Sequence, residues 1–149
     1  HVWHDGDEVL LEEGLSIRAY RTAGHSAGEM SYRLEDAFFI GDTVPVITDI
    51  PIIIDVPEMI ASIKMLRCQK GIRSFYPAWD HAYSAEEMEK KLEEAEELIM
   101  NLGKAIAESD VGQDLRDLTK LVSEEMKLQM FSENPLFAKT VGAFRKEWK

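Results

Sequence analysis

The sequence has a single cysteine, Cys68, among its 149 residues, so no disulfide can form within the chain. Disulfides are characteristic of oxidising compartments, and their exclusion favours a reducing, cytoplasmic location. Cys68 lies in a segment with helical periodicity. We therefore expect its thiol to be a buried, unreactive part of the core.

Long apolar runs are also missing. No run approaches the ~20 residues that a membrane-spanning helix needs. The longest, at 44–56, is interrupted by Thr48, Asp49, Pro51 and Asp55. No positively charged leader precedes an apolar segment, so no secretory signal is recognisable. The sequence begins with a residue other than methionine, and we expect it to be processed or cut from a longer chain. No membrane association is expected.

Basic residues are scarce relative to acidic ones. Lysine and arginine number 17 against 28 aspartates and glutamates, which gives a formal net charge of −11. A chain with this charge repels a nucleic-acid backbone unless its basic residues cluster, and the sequence contains no basic run. We therefore expect no nucleic-acid partner.

The first half of the chain alternates in the manner of β-strands. Alternating apolar and polar residues at 8–11, 15–20, 31–34 and 37–40 predict four strands, and a further strand is predicted at 72–76. Between the fourth and fifth strands, Asp55 and Glu58 form a helix-start signal and Gly71 an end signal. The sequence therefore predicts an α/β arrangement with a mixed sheet in this region.

The second half has helical periodicity. Ser84 with Glu87, Asp110 with Gln113, and Asn134 before a proline predict the starts of three helices. The apolar positions of the last helix extend to Trp148, which we expect to be buried. The change of pattern near Ser84 predicts a boundary between an α/β portion, 1–83, and an all-α extension, 84–149.

Three loops after predicted strands carry polar residues suited to metal binding. Residues 22–28 read Thr-Ala-Gly-His-Ser-Ala-Gly and place His25 in a glycine turn. A Gly-Asp pair that ends in Asp42 closes an apolar strand, and His81 ends the loop after the last strand. Imidazole nitrogen and carboxylate oxygen suit zinc, iron or manganese. If these loops share one edge of a sheet, the three side chains can converge there.

In combination, these motifs resemble the second half of the metallo-β-lactamase superfamily. The similarity covers an Asp-Gly-Asp turn at 5–7, the Gly-His-Ser-x-Gly turn around His25, a Ser-Tyr pair at 31–32, and an apolar strand that leads into Gly-Asp-Thr at 41–43. The resemblance implies half of an αββα sandwich. It also implies that His25 binds one metal ion, that Asp42 bridges two ions, and that His81 binds the second. Two divalent ions, zinc first and iron or manganese as alternatives, would then activate water.

The sequence departs from the family pattern mildly at Ala23-Gly24, where the family often has Pro-Gly, and more clearly in two other respects. The principal motif, His-x-His-x-Asp-His, is absent, because His4 and the histidine at position 1 have the wrong spacing and are interpreted as a linker. In addition, His81 is flanked by Asp80 and Ala82 where the family has glycines. We therefore expect this chain by itself to bind metal weakly or not at all and to be inactive.

The expected function is the C-terminal portion of a metal-dependent hydrolase acting on a small-molecule ester, thioester, lactone or phosphodiester. Half a sandwich would expose an apolar face, so the predicted partner is the missing N-terminal half or a second copy in a dimer. The alternative is a non-catalytic assembly module built on a degenerate half-fold, with the helical extension as its binding element.

Other interpretations of the same residues remain open. His25 and His81 could be hydrogen-bonded loop histidines, and Asp42 could be a turn or capping residue. Asp80 and Tyr83 are interpreted as polar turn residues, and Trp79 as part of the core. The loop at 44–54 either lines a pocket or forms the face that a missing half would cover, and the second interpretation is favoured.

Overall fold

A computed structural model describes residues 2–147 of the protein. These residues form a mixed six-stranded sheet and four α-helices. The strands are β1 Glu8–Leu10, β2 Ser16–Arg21, β3 Met30–Leu34, β4 Ala37–Gly41, β5 Ser74–Pro77 and β6 Tyr83–Ser84. The α-helices are α1 Val56–Cys68, α2 Ala85–Ser109, α3 Leu115–Glu125 and α4 Pro135–Glu147, with short 3₁₀ turns at Glu12–Gly14 and Gln129–Phe131. The predicted α/β class with a helical C-terminal part is confirmed.

The sheet follows chain order, and only one of its strand pairs is parallel. β4 and β5 run parallel and are joined by the crossover helix α1, whereas all other neighbours are antiparallel. A parallel pair requires such a crossover. Because Gly41 pairs with Pro77, the loops that leave both strands begin at the same edge of the sheet.

One face of the sheet packs on the helices. In β4, Phe38 and Ile40 are buried, and they share a single core with Phe75 of β5 and with residues of all four helices. The alternation of burial along β4 is what a half-covered strand requires. No helix within residues 2–147 is both long and apolar enough to cross a membrane.

The opposite face of the sheet carries aromatic side chains in contact with solvent. Phe39 and Tyr76 lie on neighbouring strands, and their rings stack with centroids 4.9 Å apart. Their exposed fractions are 44% and 39%. Tyr32 pairs with Phe39 across the strands. The rings of Tyr32 and Trp3 are arranged edge-on, with their centroids 5.5 Å apart. We call Tyr32, Phe39 and Tyr76 the aromatic face.

The capping signals located two of the three C-terminal helix starts and the start of the crossover helix. The side chain of Asp55 accepts a hydrogen bond from the Glu58 amide at 3.0 Å, and Ser84 forms a complete capping box. The prediction that Asp110 starts α3 is wrong, because Asp110 ends α2 and its carboxylate binds Arg145. Asp114 caps α3 instead.

Two burial predictions are also wrong. Cys68 is exposed because it is the last residue of α1, outside the stripe of buried residues that ends with Leu66. Trp79 is 84% exposed because it stands in the loop after β5, beyond the sheet. Trp148 lies outside the described residues, so its predicted burial stays a prediction, as does the domain boundary at 83/84.

The C-terminal helix α4 is attached to the 44–54 loop through one buried hydroxyl. Thr140 Oγ1 accepts a hydrogen bond from the Ile53 amide at 2.9 Å and donates one to the Pro51 carbonyl at 2.8 Å. A nearly isosteric Thr140→Val change leaves both backbone groups without this partner in the interior, which costs about 1–3 kcal/mol for an unsatisfied buried group. We therefore expect a lower free energy of unfolding in urea denaturation.

A matched control for this prediction is Thr119→Val. Thr119 is equally buried, but its hydroxyl donates to the Leu115 carbonyl within its own helix, at 2.6 Å. That carbonyl keeps a backbone amide partner when the hydroxyl is removed, so we expect a smaller loss of stability. Equal losses in the two variants would contradict a special role for the Thr140 attachment.

Candidate functional site

The loop that carries His25 lies directly on helix α1. Gly24 has a φ of +139°, and a Cβ atom at this position would lie 2.6 Å from the Cα atom of Met59. Only glycine fits this approach, both for its backbone conformation and for its lack of a side chain. The sequence pattern identified this glycine correctly as a turn residue, although it gave no sign of the helix beneath it.

Hydrogen bonds to the backbone fix the same loop. The Gly24 carbonyl accepts hydrogen bonds from the amides of Ile54 at 2.8 Å and Asp55 at 3.2 Å. The buried hydroxyl of Ser62 donates to the Ala23 carbonyl at 2.7 Å. The two residues before His25 are therefore bound by the segment that leads into α1 and by α1 itself, which holds the backbone next to the half-buried His25 in place.

The turn that carries Asp42 is formed at the end of β4. Gly41 has a φ of +56°, a conformation that favours glycine. The Thr43 amide and hydroxyl both donate to the Ile40 carbonyl, at 3.2 and 2.7 Å, and close the turn. The Asp42 amide donates to Oε1 of Glu29 at 3.0 Å, so Glu29 connects this turn to the end of the His25 loop.

Buried hydroxyls join the two turns underneath. Thr22 Oγ1 lies 2.8 Å from Ser31 Oγ, which lies 3.4 Å from Thr43 Oγ1. All three residues are completely buried. These three residues belong to the sequence motifs around His25 and Asp42. Buried polar groups need hydrogen-bond partners, and here each hydroxyl group is the partner of another. Small hydroxyl side chains are therefore suited to these positions.

His25 and Asp42 both line one cavity of about 470 Å³. The 44–54 loop forms one wall of this cavity. This supports the interpretation that the loop lines a pocket, which was the less favoured of the two. The other residues that line the cavity are Ile40, Gly41, Val44, Pro45, Val46, Thr48, Asp49, Ile50, Ile52, Pro77, Ala78, Trp79, Asp80, Tyr83, Met88 and Lys91.

The third predicted ligand, His81, is not among the residues that line this cavity. Its side chain is 68% exposed, and its Nδ1 atom lies 2.7 Å from Oδ1 of Asp80. The imidazole also meets the ring of Tyr83 edge-on, with centroids 4.6 Å apart. The structure thus brings His25 and Asp42 to one cavity and places Asp80, rather than His81, in its wall.

Asp80 and Tyr83 were interpreted from the sequence as polar turn residues, and both line the cavity. The Tyr83 hydroxyl donates a short hydrogen bond to Oδ2 of Asp80. This bond, followed by the bonds from His81, lowers the pKa of Asp80 to about 2. Burial and the adjacent Asp80 carboxylate raise the pKa of Tyr83 to about 12. At neutral pH the cavity wall therefore contains a carboxylate and a neutral phenol.

Glu29 is a component of the site that sequence reasoning missed. Burial raises the pKa of its carboxyl group, and the hydrogen bond from the Asp42 amide and the proximity of His25 partly offset this effect. Its Oε2 atom is buried and has no hydrogen-bond partner within residues 2–147. The only signal in the sequence was its position directly after the glycine turn.

The described residues do not form a complete metal site. Within residues 2–147 no three side chains of histidine, cysteine, aspartate or glutamate converge in a way that would hold a metal ion. A catalytic zinc ion typically has about three protein ligands of its own. The assignment of His25, Asp42 and His81 as metal ligands stays a prediction.

No family model matches the sequence, and no curated protein matches it. Solved structures with a similar fold include two metallo-beta-lactamase proteins. One is a metallo-beta-lactamase family protein from Thermus thermophilus, with a TM-score of 0.70 and 18% identity, which matches over 97% of this chain and 48% of its own. The other is a metallo-beta-lactamase superfamily protein from Sulfolobus tokodaii, with a TM-score of 0.53 and 20% identity over 95% of this chain and 50% of its own.

This chain therefore has the fold of half a metallo-β-lactamase, as its motifs predicted. It spans about half the length of the structures it matches.

The close approach of Gly24 to α1 is testable. In Gly24→Ala, the added methyl group meets the Met59 backbone and the positive φ becomes unfavourable. Overpacking typically costs about 1–3 kcal/mol, and we expect urea denaturation to show a decrease of this size in the free energy of unfolding. Gly28→Ala in the same loop is the control, because nothing lies within 4 Å of its added Cβ. A change within about 0.5 kcal/mol is expected there, and an equally small change in Gly24→Ala would contradict the packing argument.

Proposed function

We propose that this chain is the second half of a metal-dependent hydrolase of the metallo-β-lactamase type. In this proposal, a first half completes the sandwich and supplies the remaining metal ligands. The observation that supports it best is the meeting of His25 and Asp42 at one cavity, each held by a glycine turn and by the buried hydroxyls beneath. The match to about half of each related structure agrees with this.

The completed enzyme would hold two divalent metal ions, zinc first and iron or manganese as alternatives. Such ions polarise the substrate and activate a bound water molecule. The contribution of this chain is to position donor groups. The His25 loop is fixed on α1, and the Asp42 amide is fixed by Glu29, so both side chains enter the cavity from rigid supports. Preorganised supports of this kind are what a metal centre requires.

The cavity suits a small-molecule substrate. Its volume of about 470 Å³ falls in the usual range of ligand pockets, roughly 300–1,000 Å³. Much of its wall is apolar and comes from the 44–54 loop, Ile40 and Met88. Its charged residues are mostly carboxylates, and the one lysine, Lys91, is paired with Glu94. Ester, thioester, lactone and phosphodiester substrates remain the candidate classes.

The aromatic face is the proposed surface for the partner. Tyr32, Phe39 and Tyr76 are directly opposite one another on adjacent strands, and the stacked pair is about two-fifths exposed. Clustered apolar groups of this kind mark an interaction surface. In a face-to-face sandwich the first half would cover it, and without that half a second copy would do so.

The alternative function is a non-catalytic assembly module. It is favoured by one observation, that no three metal-binding side chains converge within residues 2–147. Under this alternative the glycine turns only shape a surface loop. The coding sequence upstream of this chain separates the two functions, since a strand followed by His-x-His-x-Asp-His is expected only for the hydrolase.

The proposed hydrolase predicts that metal binding depends on completing the fold. We expect this chain alone to bind zinc weakly, with a dissociation constant of about 0.1 mM or weaker in titration calorimetry, where the binding free energy is small. When the chain is co-expressed with the segment encoded upstream, we expect about two metal ions per protein by mass spectrometry and hydrolysis of at least one candidate substrate class.

Variants of the completed protein provide the controls. His25→Ala and Asp42→Asn should each lose metal and activity, whereas Asp36→Asn, which removes only a surface ion pair with Arg73, should keep both. Tight stoichiometric zinc binding by the isolated chain would contradict the proposal. So would a completed protein without metal, which would favour the assembly module.

The aromatic face predicts self-association of the isolated chain. We expect a dimer in size-exclusion chromatography with light scattering, and a shift towards monomer when Phe39 and Tyr76 are both replaced by serine. The matched control is Met130→Ser, which removes an 83% exposed apolar side chain from the turn at Gln129–Phe131. Circular dichroism checks that each variant is folded. A monomer that binds no hydrophobic dye would count against the proposed partner surface.

A further inference from the structure

We propose that the cavity takes an uncharged ester, thioester or lactone with an apolar arm, and that Trp79 and the 44–54 loop bind that arm. The inference rests on the proposed function, because it narrows the substrate class of the completed hydrolase. It disfavours one of the four candidate classes, the phosphodiester, because a phosphodiester is an anion.

Trp79 stands at the rim of the cavity. It belongs to the lining that includes His25 and Asp42, yet the residue is 84% exposed. A single exposed apolar residue is common on protein surfaces and needs no explanation by itself. An exposed indole on a cavity wall is more informative, because it offers a large apolar face to a molecule that enters the cavity.

The residues on both sides of Trp79 are attached to the fold. On one side, the Ala78 amide donates a hydrogen bond to the Gly41 carbonyl at 2.8 Å. On the other side, the carboxylate of Asp80 accepts a hydrogen bond from the hydroxyl of the buried Tyr83. The backbone that carries the indole is therefore fixed before a ligand arrives. Binding to a preorganised side chain costs less conformational entropy than binding to a mobile one.

The 44–54 loop supplies aliphatic surface to the same cavity. Val44, Val46, Ile50 and Ile52 are lining residues, and all four are only partly buried. The end of the loop is attached to α4 by the two hydrogen bonds of the Thr140 hydroxyl. A ligand with an apolar arm would remove more of this aliphatic surface from water, and that burial favours binding.

The charges of the lining favour an arm without negative charge. Asp42, Asp49 and Asp80 line the cavity, and the lining contains one lysine, Lys91. The Nζ atom of Lys91 already lies 2.7 Å from Oε2 of Glu94. Asp49 belongs to the 44–54 loop and is not among the predicted metal ligands, so its charge faces the substrate arm in the proposed hydrolase. An anionic arm would meet like charge there, whereas a neutral arm would not.

The competing occupant of this wall is the first half of the sandwich. Two observations favour a substrate instead. The wall encloses a volume of about 470 Å³ and is not a flat surface. In addition, the aromatic face, which is the proposed surface for the first half, contributes no residue to the cavity lining. The partner surface and the cavity wall are therefore separate sets of residues.

The test measures binding of two ligands that differ in charge but have the same arm, octanamide and octanoate. Each displaces the neutral fluorescent probe N-phenyl-1-naphthylamine from this chain, in low-salt buffer at neutral pH with EDTA to remove metal. We expect octanamide to bind about threefold more tightly or better, because octanoate meets the carboxylates of the wall. Asp49→Asn should narrow this difference, and its amide oxygen can still accept the hydrogen bond from the Ile50 amide.

Variants of Trp79 test the arm site itself. We expect Trp79→Ala to weaken octanamide binding about tenfold, and Trp79→Phe to retain part of the affinity because it keeps an aromatic ring. The matched control is Met130→Ser, which removes an exposed apolar side chain outside the cavity and should leave the affinity unchanged. Circular dichroism checks that each variant is folded.

The completed protein, in which this chain is co-expressed with its upstream segment, provides the kinetic readout. The ratio of kcat/KM for p-nitrophenyl octanoate to that for p-nitrophenyl acetate should fall about tenfold in Trp79→Ala and stay constant in Met130→Ser. This ratio reports binding of the arm, since the two esters differ only in its length.

Three results of the titration would overturn the inference: no saturable octanamide binding, equal affinity for octanoate, or unchanged octanamide affinity in Trp79→Ala. None of them bears on whether the completed protein holds metal. Conversely, a completed protein without metal would refute the proposed hydrolase and leave the titration as it is. The two failures are therefore distinguishable.

Discussion

The contact between Gly24 and helix α1 is the constraint on which the arrangement of the site depends. The Gly24 backbone lies directly against Met59, and the Gly24 carbonyl accepts hydrogen bonds from the amides of the two residues before the helix. The helix in turn is the crossover between β4 and β5. Because both strands end at one edge, a single packing contact relates the His25 loop to the loops that carry Asp42 and Asp80.

The same two strands carry the open face of the sheet and lead into the cavity that His25 and Asp42 line. Phe39 and Tyr76 belong to β4 and β5, the strands whose C-terminal ends lead into Asp42 and Asp80. A partner that packs on the aromatic face would therefore approach the rim of the cavity along the same two strands. In the proposed hydrolase, binding of the first half would bury the aromatic side chains and bring its ligands to the metal centre in one step. Burial of apolar surface would thus supply free energy for assembling the site.

Local sequence signals predicted most of the fold, because they reflect interactions between residues that are only a few positions apart in the chain. Helix caps such as Ser84 and Asp55, and the glycine turn around His25, require only neighbouring residues. The failures involve partners that are distant in the chain. Asp110 is a residue type that often caps the start of a helix, but here its carboxylate accepts hydrogen bonds from Arg145. The sequence also gives no sign that Asp80, and not its neighbour His81, lines the cavity, and the assignment of His81 as a ligand stays a prediction. Competition between nearby candidates is decided by tertiary contacts that a single sequence does not display.

The C-terminal helices were predicted as a separate extension, yet hydrogen bonds connect them to the site. Thr140 of α4 binds the backbone of Pro51 and Ile53, and the next amide, that of Ile54, donates to the carbonyl of Gly24, the residue before His25. The connection from α4 to the His25 loop therefore passes through only a few consecutive residues at the end of the 44–54 loop. Residues 51–54 therefore bind both α4 and the His25 loop. These hydrogen bonds, together with the core that α4 shares with the sheet, give the C-terminal helices a structural role in supporting the His25 loop.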